Sequence, residues 1–332
     1  MQEKVTSFDI AALAGVSQPT VSRALRGDRT VSEATRLRIE AAARQLNYKV
    51  DKRASSLRHG STRTLALLFF QDSVADGLIN PFFLSMLGSI LRRCAARGYD
   101  LLTSFQQLSA DWHKDYEDAR RADGLILLGY GDFAIYRGRQ EQLIRQGTHF
   151  VRWGASTPGG EDRTIGCDNV AGGRMAAEHL AAQGRRRIAF LGDASEHYPE
   201  FRDRYAGLCA VAGTDPALLV PALTFEADGH AAVAALIERD IAFDAVFAGS
   251  DMIALGAMRA LAEAGRRVPE DVAVVGFDDI PAAALANPAL TTVAQDHDRA
   301  GEMLVDALIA QIEGKPMDLA PLKPKLVVRR SS

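Results

Sequence analysis

The chain has 332 residues, 47% of them hydrophobic and 24% charged, enough apolar material for a packed core and too much for a disordered chain. Its formal net charge of −3 hides an asymmetry: residues 1–60 carry 11 Lys or Arg against 6 acids, the remainder 28 against 36. A basic head on an acidic body is the distribution expected when only the head meets phosphate, and no apolar run approaches the roughly 18 residues of a membrane span.

Between Ser7 and Arg26, the run IAALAGVSQPTVSRAL places Ile10, Leu13 and Ala14 at helical spacing. Gly15 interrupts them, and Val21, Ala24 and Leu25 resume the apolar stripe after Pro19. Glycine takes positive φ without steric cost, and the small Ala11 lets two helices cross closely. The pattern is a helix-turn-helix, whose second helix enters the DNA major groove. Gly27 is a cap candidate, and Ser32 is placed to cap a third helix running to about Leu46, with Leu37, Ile39, Ala42, Ala43 and Leu46 apolar. Residues 49–63 are polar and basic around an isolated Leu57. They read as a linker in which Arg53 to Leu57 forms a helix too short to stand alone.

From Thr64 the text alternates short apolar runs with amphipathic stretches. LALLFF, YDLLTSF, GLILLGY and HFVRWGA read as strands, with helices around 81–97, 112–122 and 133–146. TIGC, RIAFLG, LVPALTF, AVFAGS and VAVVGF form a second series, with helices near 170–183, 199–212, 228–239 and 251–264. Continuous apolar strands alternating with helices imply parallel sheets covered on both faces. Two series imply two doubly wound lobes, which bind ligands outside the carboxyl ends of their strands. The segment LTTVAQDH and a helix over 298–313 are expected to return to the first lobe. The division expected is a helix-turn-helix domain over 1–48, a hinge and linker over 49–61, and an α/β core over 62–332. Within the core, lobe 1 takes about 62–163 and 295–322, and lobe 2 about 164–294 and 323–332.

Enzyme signals are weak. Gly129-Tyr130-Gly131-Asp132-Phe133-Ala134 is a GxGxxA between a strand and a helix, the setting of a dinucleotide fingerprint. The acid that should hold a ribose about 20 residues later is missing, because that stretch ends in HFVRWGA. No GxxxxGKS, HExxH or GxSxG occurs, and the seven histidines show no metal-ligand spacing. Cys94, Cys167 and Cys209 lie far apart without a CxxC pair, as core residues of a reducing compartment do. No signal-type segment opens the chain. A cytoplasmic protein that is not an enzyme, with no cofactor and no metal, is expected.

VSQPTVSRALRGDRTVSEATRLRIEAAARQLNY, STRTLALLFF, INPFFLSML, DGLILLGY, GCDNVAGGRMAAEHL, RRRIAFLGD, FAGSDMIALGAMRAL, VAVVGFDDIP and NPALTTVAQD follow one another from about Thr6 to Arg329. Together they resemble the lactose repressor (LacI) family. The resemblance implies a homodimeric bacterial transcription regulator whose two-lobed core is similar to periplasmic sugar-binding proteins. It further implies that Gln18, Pro19, Ser22 and Arg23 form the base-reading face, that Ser7, Ser32 and Tyr48 touch phosphates, and that Ala54 and Leu57 belong to the hinge. There Leu57 would wedge into the minor groove and kink the DNA. Where the family commonly has Pro-Asn before the hinge helix, this chain has Val50-Asp51, which sets a negative charge near phosphate.

In the core, the resemblance places Phe82, Phe83, Arg152, Trp153, Tyr198, Glu200, Arg204, Phe225, Asp251 and Gln295 around an effector cleft. Aromatic rings stack on the apolar faces of a sugar or base, while carboxylates and guanidinium groups bond hydroxyls. Some relatives have an acid where this chain has Arg152, which points to an effector with an acidic group. Asp251 is expected both to cap the helix it opens and to bind ligand. The function implied is repression of carbohydrate-utilisation genes. A dimer would read a pseudo-palindromic operator and respond to a small sugar-like effector. No heptad-bearing tail follows the core, so a dimer rather than a tetramer is expected.

Overall fold

The computed structural model describes residues 5–25, 28, 30–48, 61–70, 79–105, 116, 121–129, 132–155, 163–213, 215–223 and 225–332. The chain divides into two compact units, Met1–Thr62 and Arg63–Ser332. The hinge residues Ala54 and Leu57, and the cap candidate Gly27, lie outside the described residues.

The first unit holds α1 (Ser7–Ala14), α2 (Gln18–Leu25) and α3 (Glu33–Gln45). At the start of α1 the Thr6 backbone N–H and hydroxyl both donate to the Asp9 carboxylate at 2.7 Å, satisfying groups the helix cannot. Gly15 ends the helix at φ 63°, the left-handed conformation expected of that glycine. Ser32 caps α3, its hydroxyl accepting the Thr35 N–H at 3.3 Å. The small core is built from Ile10, Ala11, Ala14, Val21, Ala24, Val31, Ile39 and Ala42. Leu13 and Leu37, expected in the apolar stripes, are instead 47% and 56% exposed. In so small a bundle each helix buries a single face, and Ile10, Ala11 and Ala14 of α1 and Ile39 and Ala42 of α3 take it.

The second unit contains two sheets. The first has the order β2-β1-β3-β4-β5, all parallel. Its strands are β1 (Thr64–Phe69), β2 (Asp100–Phe105), β3 (Leu125–Leu128), β4 (Phe150–Trp153) and β5 (Thr164–Ile165). Two helices between these strands are α4 (Pro81–Ala96) and α5 (Phe133–Arg145). The helix expected around 112–122 lies mostly outside the described residues.

The second sheet has the order β11-β10-β9-β8-β6-β7 and is parallel except for the β10–β11 pair. Its strands are β6 (Ile188–Leu191), β7 (Leu219–Val220), β8 (Ala245–Ala248), β9 (Ala273–Asp278), β10 (Thr291–Ala294) and β11 (Lys325–Val327). Its helices are α6 (Asn169–Ala182), α7 (Pro199–Ala212), α8 (Glu226–Glu238), α9 (Asp251–Glu263) and the short α10 (Pro281–Leu285). Next in the chain, α11 (His297–Ile312) leaves this lobe and packs on α4 of the first, where Ser89 Oγ donates to the Asp298 carbonyl at 2.6 Å and Arg93 pairs with Asp306.

Three segment assignments therefore change. TIGC contributes β5 to the first sheet, because Arg152 and Trp153 pair with Thr164 and Ile165. The strand in LTTVAQDH belongs to the second sheet, pairing with β9, and only the following helix returns to lobe 1. LVPALTF shrinks to the two residues of β7, since Pro221 has no N–H to continue a ladder.

Tight helix packing fixes the second lobe. A Cβ on Gly173 would land on the Arg204 carbonyl and one on Gly207 on the Val170 carbonyl, so α6 and α7 touch backbone to backbone. Among the described residues no helix is long and apolar enough to cross a membrane.

Candidate functional site

In the head, α2 presents its polar residues to the outside because Val21 and Ala24 take its inner face. Pro19 and Arg23 are exposed, while Gln18 and Ser22 are half-buried. Gln18 Nε2 donates to Ser7 Oγ at 3.1 Å, which fixes the start of the candidate reading helix against α1. Exposed Ser32 and half-buried Tyr48 flank α3, where Tyr48 packs against the head core. These positions are consistent with a surface whose helix reads base edges while flanking hydroxyls meet phosphates.

In the core, the residues expected around the cleft form several groups. Phe82 and Phe83, from the first turn of α4, meet edge to face at 5.4 Å, and Phe82 meets Trp153 at 5.9 Å. All three are at most 3% exposed and form part of the continuous core. Arg152 lies at the carboxyl end of β4 over the Phe133 ring, and Glu200 lies in the first turn of α7 in the other lobe. They approach to 3.9 Å, and both are buried. The Glu200 carboxylate also accepts the Ala155 N–H at 2.8 Å, and Arg152 Nη2 donates to the Ala155 carbonyl at 2.9 Å. This pair joins the lobes. The counter-charge that Arg152 was expected to seek in an effector is already present in Glu200.

Arg204, 1% exposed, forms the floor of lobe 2. Its Nε donates to Asn169 Oδ1 at 2.9 Å, its Nη1 donates to the Gly249 carbonyl, and its guanidinium stacks 3.8 Å from the centre of the Phe277 ring. Phe201 supports it from the side, and Tyr198 stacks on Phe201. Asn169 and Phe277 were not anticipated, since a helix-start Asn and a strand Phe carry no chemical signature of their own.

Asp251 is fully buried, and both of its carboxylate oxygens bond within the protein. One accepts the Ile280 N–H at 2.8 Å and the other the Thr292 hydroxyl at 2.6 Å. Burial first, and then the nearby Asp278 carboxylate, push its carboxyl well above the ordinary range. Ser250, not Asp251, caps α9, its hydroxyl accepting the Ile253 N–H. Asp251 follows the cap and braces the turn after β9.

Asp278, at the carboxyl end of β9, is the residue that sequence reasoning passed over. It is 1% exposed, holds φ at 118°, and accepts the Gln295 side-chain amide at 2.7 Å. A non-glycine residue in that region is strained, and such strain clusters at ligand sites. The signal was available: two acids directly after a buried strand, in GFDD, at the end where such sheets bind ligands. Asp279 is occupied with Arg329 at 2.6 Å.

Phe225 begins α8, where its N–H donates to Asp228, and it joins none of these groups. A cavity of about 300 Å³ opens nearby, lined by Asp193, Val220 to Leu223, Asp228 and Ala231, Ala232 and Ala235 of α8, and none of the expected effector residues lines it. Among the described residues no cluster of His, Cys, Asp or Glu has the makings of a metal site. Of the GxGxxA segment, Tyr130 and Gly131 lie outside the described residues, and Asp132 bonds to His197 at 2.8 Å.

Comparison with known proteins follows the same division. Residues 8–51 match the model of "Bacterial regulatory proteins, lacI family", and residues 177–332 that of a "Periplasmic binding protein-like domain". The ribose operon repressor of Escherichia coli K12 is 33% identical over 316 residues, covering 92% of this chain and 93% of that protein. The HTH-type transcriptional regulator CelR of Thermobifida fusca is 31% identical over 342 residues, covering 97% and 96%. Among solved structures, the lac repressor dimer bound to operator and the anti-inducer ONPF superposes with a TM-score of 0.82 at 27% identity, covering 99% of each chain. A CelR–cellobiose complex superposes with a TM-score of 0.73 at 31% identity, covering 99% of this chain and 100% of that one. The helix-turn-helix head, the two-lobed α/β core and the full-length similarity together show that the chain belongs to the lacI family of bacterial regulatory proteins.

Proposed function

We propose that this protein is a transcriptional repressor that binds a pseudo-palindromic operator as a dimer and responds to a small neutral sugar or sugar derivative held between the lobes. The observation that carries the reading is one chain joining an α2 helix with exposed Pro19 and Arg23 to a core whose lobes meet at the buried Arg152–Glu200 pair, with Arg204 and Asp278 buried in lobe 2. Solved relatives include a dimer bound to operator and a family member from Enterococcus faecium with bound ribose.

Donors and acceptors are mixed in the cleft. Arg152 faces Glu200, and Gln295 holds Asp278, which suits hydroxyls that both give and take hydrogen bonds better than a fully charged ligand. In this reading Asp278 and Arg204 hold the effector, while Asp251 supports them from behind. The protein acts in the cytoplasm on the nucleoid, regulates rather than catalyses, and needs neither cofactor nor metal.

An effector can change operator affinity only by binding one lobe arrangement better than another, and the coupling is reciprocal. The test is a thermal-shift screen of the full chain against neutral sugars, sugar acids and nucleobases. Titration calorimetry of any hit follows, with and without operator duplex. The reading expects a neutral sugar to bind and its affinity to change with operator. An affinity unmoved by operator sinks the repressor assignment, and selective binding of a sugar acid sinks the neutral-effector assignment.

A further inference from the structure

Among the contacts that tie the lobes of the core together, two are deep and two lie near the surface. The deep ones are Arg152 with Glu200 and the Ala155 N–H with Glu200. The outer ones both involve His197, in the loop between β6 and α7. Its backbone carbonyl accepts the Phe133 N–H at 2.8 Å, and its ring Nδ1 sits 2.8 Å from Asp132 Oδ1. Asp132 and Phe133 open α5 in lobe 1, so this loop of lobe 2 is fastened across the gap by one main-chain bond and one side-chain pair.

Arginine–carboxylate pairs keep their charge across the physiological range, whereas histidine changes charge between about pH 5 and 8. The groups acting on the imidazole are Asp132, just before α5, and Asp193 and Glu196 from its own loop, all acids. Behind Phe133, Arg152 is already engaged with Glu200. The hydrogen bond that the ring donates to the Asp132 carboxylate holds the imidazole above its ordinary value of 6.5.

We propose that closure of the two lobes is proton-linked through the His197–Asp132 clasp, acid favouring the closed arrangement. The proposal adds a regulatory input to the cleft read above as an effector site, and rests on that reading for its biological meaning. Its physical core needs only the two lobes. A group whose pKa is raised by a contact stabilises the state that makes the contact. That stabilisation is complete below the free value of about 6.5 and is lost as pH rises through the raised one. His197 and Asp132 are 55% and 30% exposed, so water screens the pair. A part-exposed ion pair shifts such an equilibrium by about two- to fivefold.

The Phe133 amide gives a direct reading, because its partner lies in the other lobe. Hydrogen exchange of the ligand-free full chain is followed at pH 6.0 and 8.0, with each rate divided by its intrinsic value. Protection at Phe133 is expected to fall about two- to fivefold between the two values in the wild type. It should be independent of pH in His197→Gln, which keeps a donor without a titrating ring, and in Asp132→Asn. Far-UV circular dichroism confirms that both variants fold. Equal protection at both values in the wild type, or the same fall in His197→Gln, overturns the clasp. Because no ligand is present, that outcome leaves the effector reading of the cleft untouched, while failure of the ligand screen leaves the clasp untouched.

Discussion

Arg204 offers the sharpest quantitative test, because two nitrogens of its fork each hold a different buried acceptor. Lysine at this position keeps the charge and most of the length but presents a single nitrogen. It can reach either Asn169 Oδ1 or the Gly249 carbonyl, not both, so one buried acceptor loses its donor. An unsatisfied buried group costs about 1–3 kcal/mol. The close contact of the guanidinium with the Phe277 ring is weakened as well, and such contacts contribute about 0.5–2 kcal/mol. Together the loss is roughly 2–4 kcal/mol, which at about 2–4 °C per kcal/mol lowers the core's melting temperature by roughly 5–15 °C. Calorimetry of the full chain resolves the core transition. A melting temperature within about 2 °C of wild type would falsify the structural role and leave Arg204 purely a ligand contact.

Three further expectations follow from the same geometry. Arg23→Ala should weaken operator binding by about 1–3 kcal/mol and relax base preference at one position; equal weakening on operator and scrambled DNA in gel-shift titrations would mean a phosphate contact only. Ser32→Ala removes the cap of α3 and should destabilise the head by about 1 kcal/mol, visible as loss of helical signal on heating, with no change taken as evidence that Thr35 finds another acceptor. Asp251→Asn tests the buried acid: its raised pKa means the native state holds a proton the unfolded state releases, so wild-type stability from this group is complete below about pH 3.8 and drains away as pH rises. Asparagine removes that dependence, so the variant should gain on wild type between pH 4 and 7 in thermal melts; a gap that widens in the opposite direction refutes the assignment.

The sequence made the alternation of strands and helices legible because buried parallel strands are continuous apolar runs, and β1, β3, β6, β8 and β9 all follow that rule. What it misplaced were elements decided by pairing partners. Thr164–Ile165 and Thr291–Ala294 are short, and nothing in their composition says which sheet they join. The same limit appears at the cleft. The family resemblance marked Arg204 and Asp251, yet only the tertiary arrangement shows the Asp251 oxygens turned inward to Ile280 and Thr292. Asp278 was overlooked because its distinction is a backbone angle rather than a letter in a motif. The Glu200 partner of Arg152 could not be read either, since the two sit in different lobes and 48 positions apart, numbers 152 and 200.

The return of α11 to the first lobe has a consequence for how the protein is made. Lobe 1 is not a continuous stretch of chain: its sheet is complete at Ile165, but the helix that covers α4 near Ser89 and Arg93 begins at His297. At roughly 5–20 residues per second, the ribosome delivers all of β6 to β10 before that helix emerges. During those seconds the first lobe waits with one flank of α4 bare, and lobe 2, whose parallel strands β6 to β10 arrive in one run, has the material to fold first. Chains that end before residue 297 should therefore expose the α4 flank to chaperones, and the released full-length chain should not.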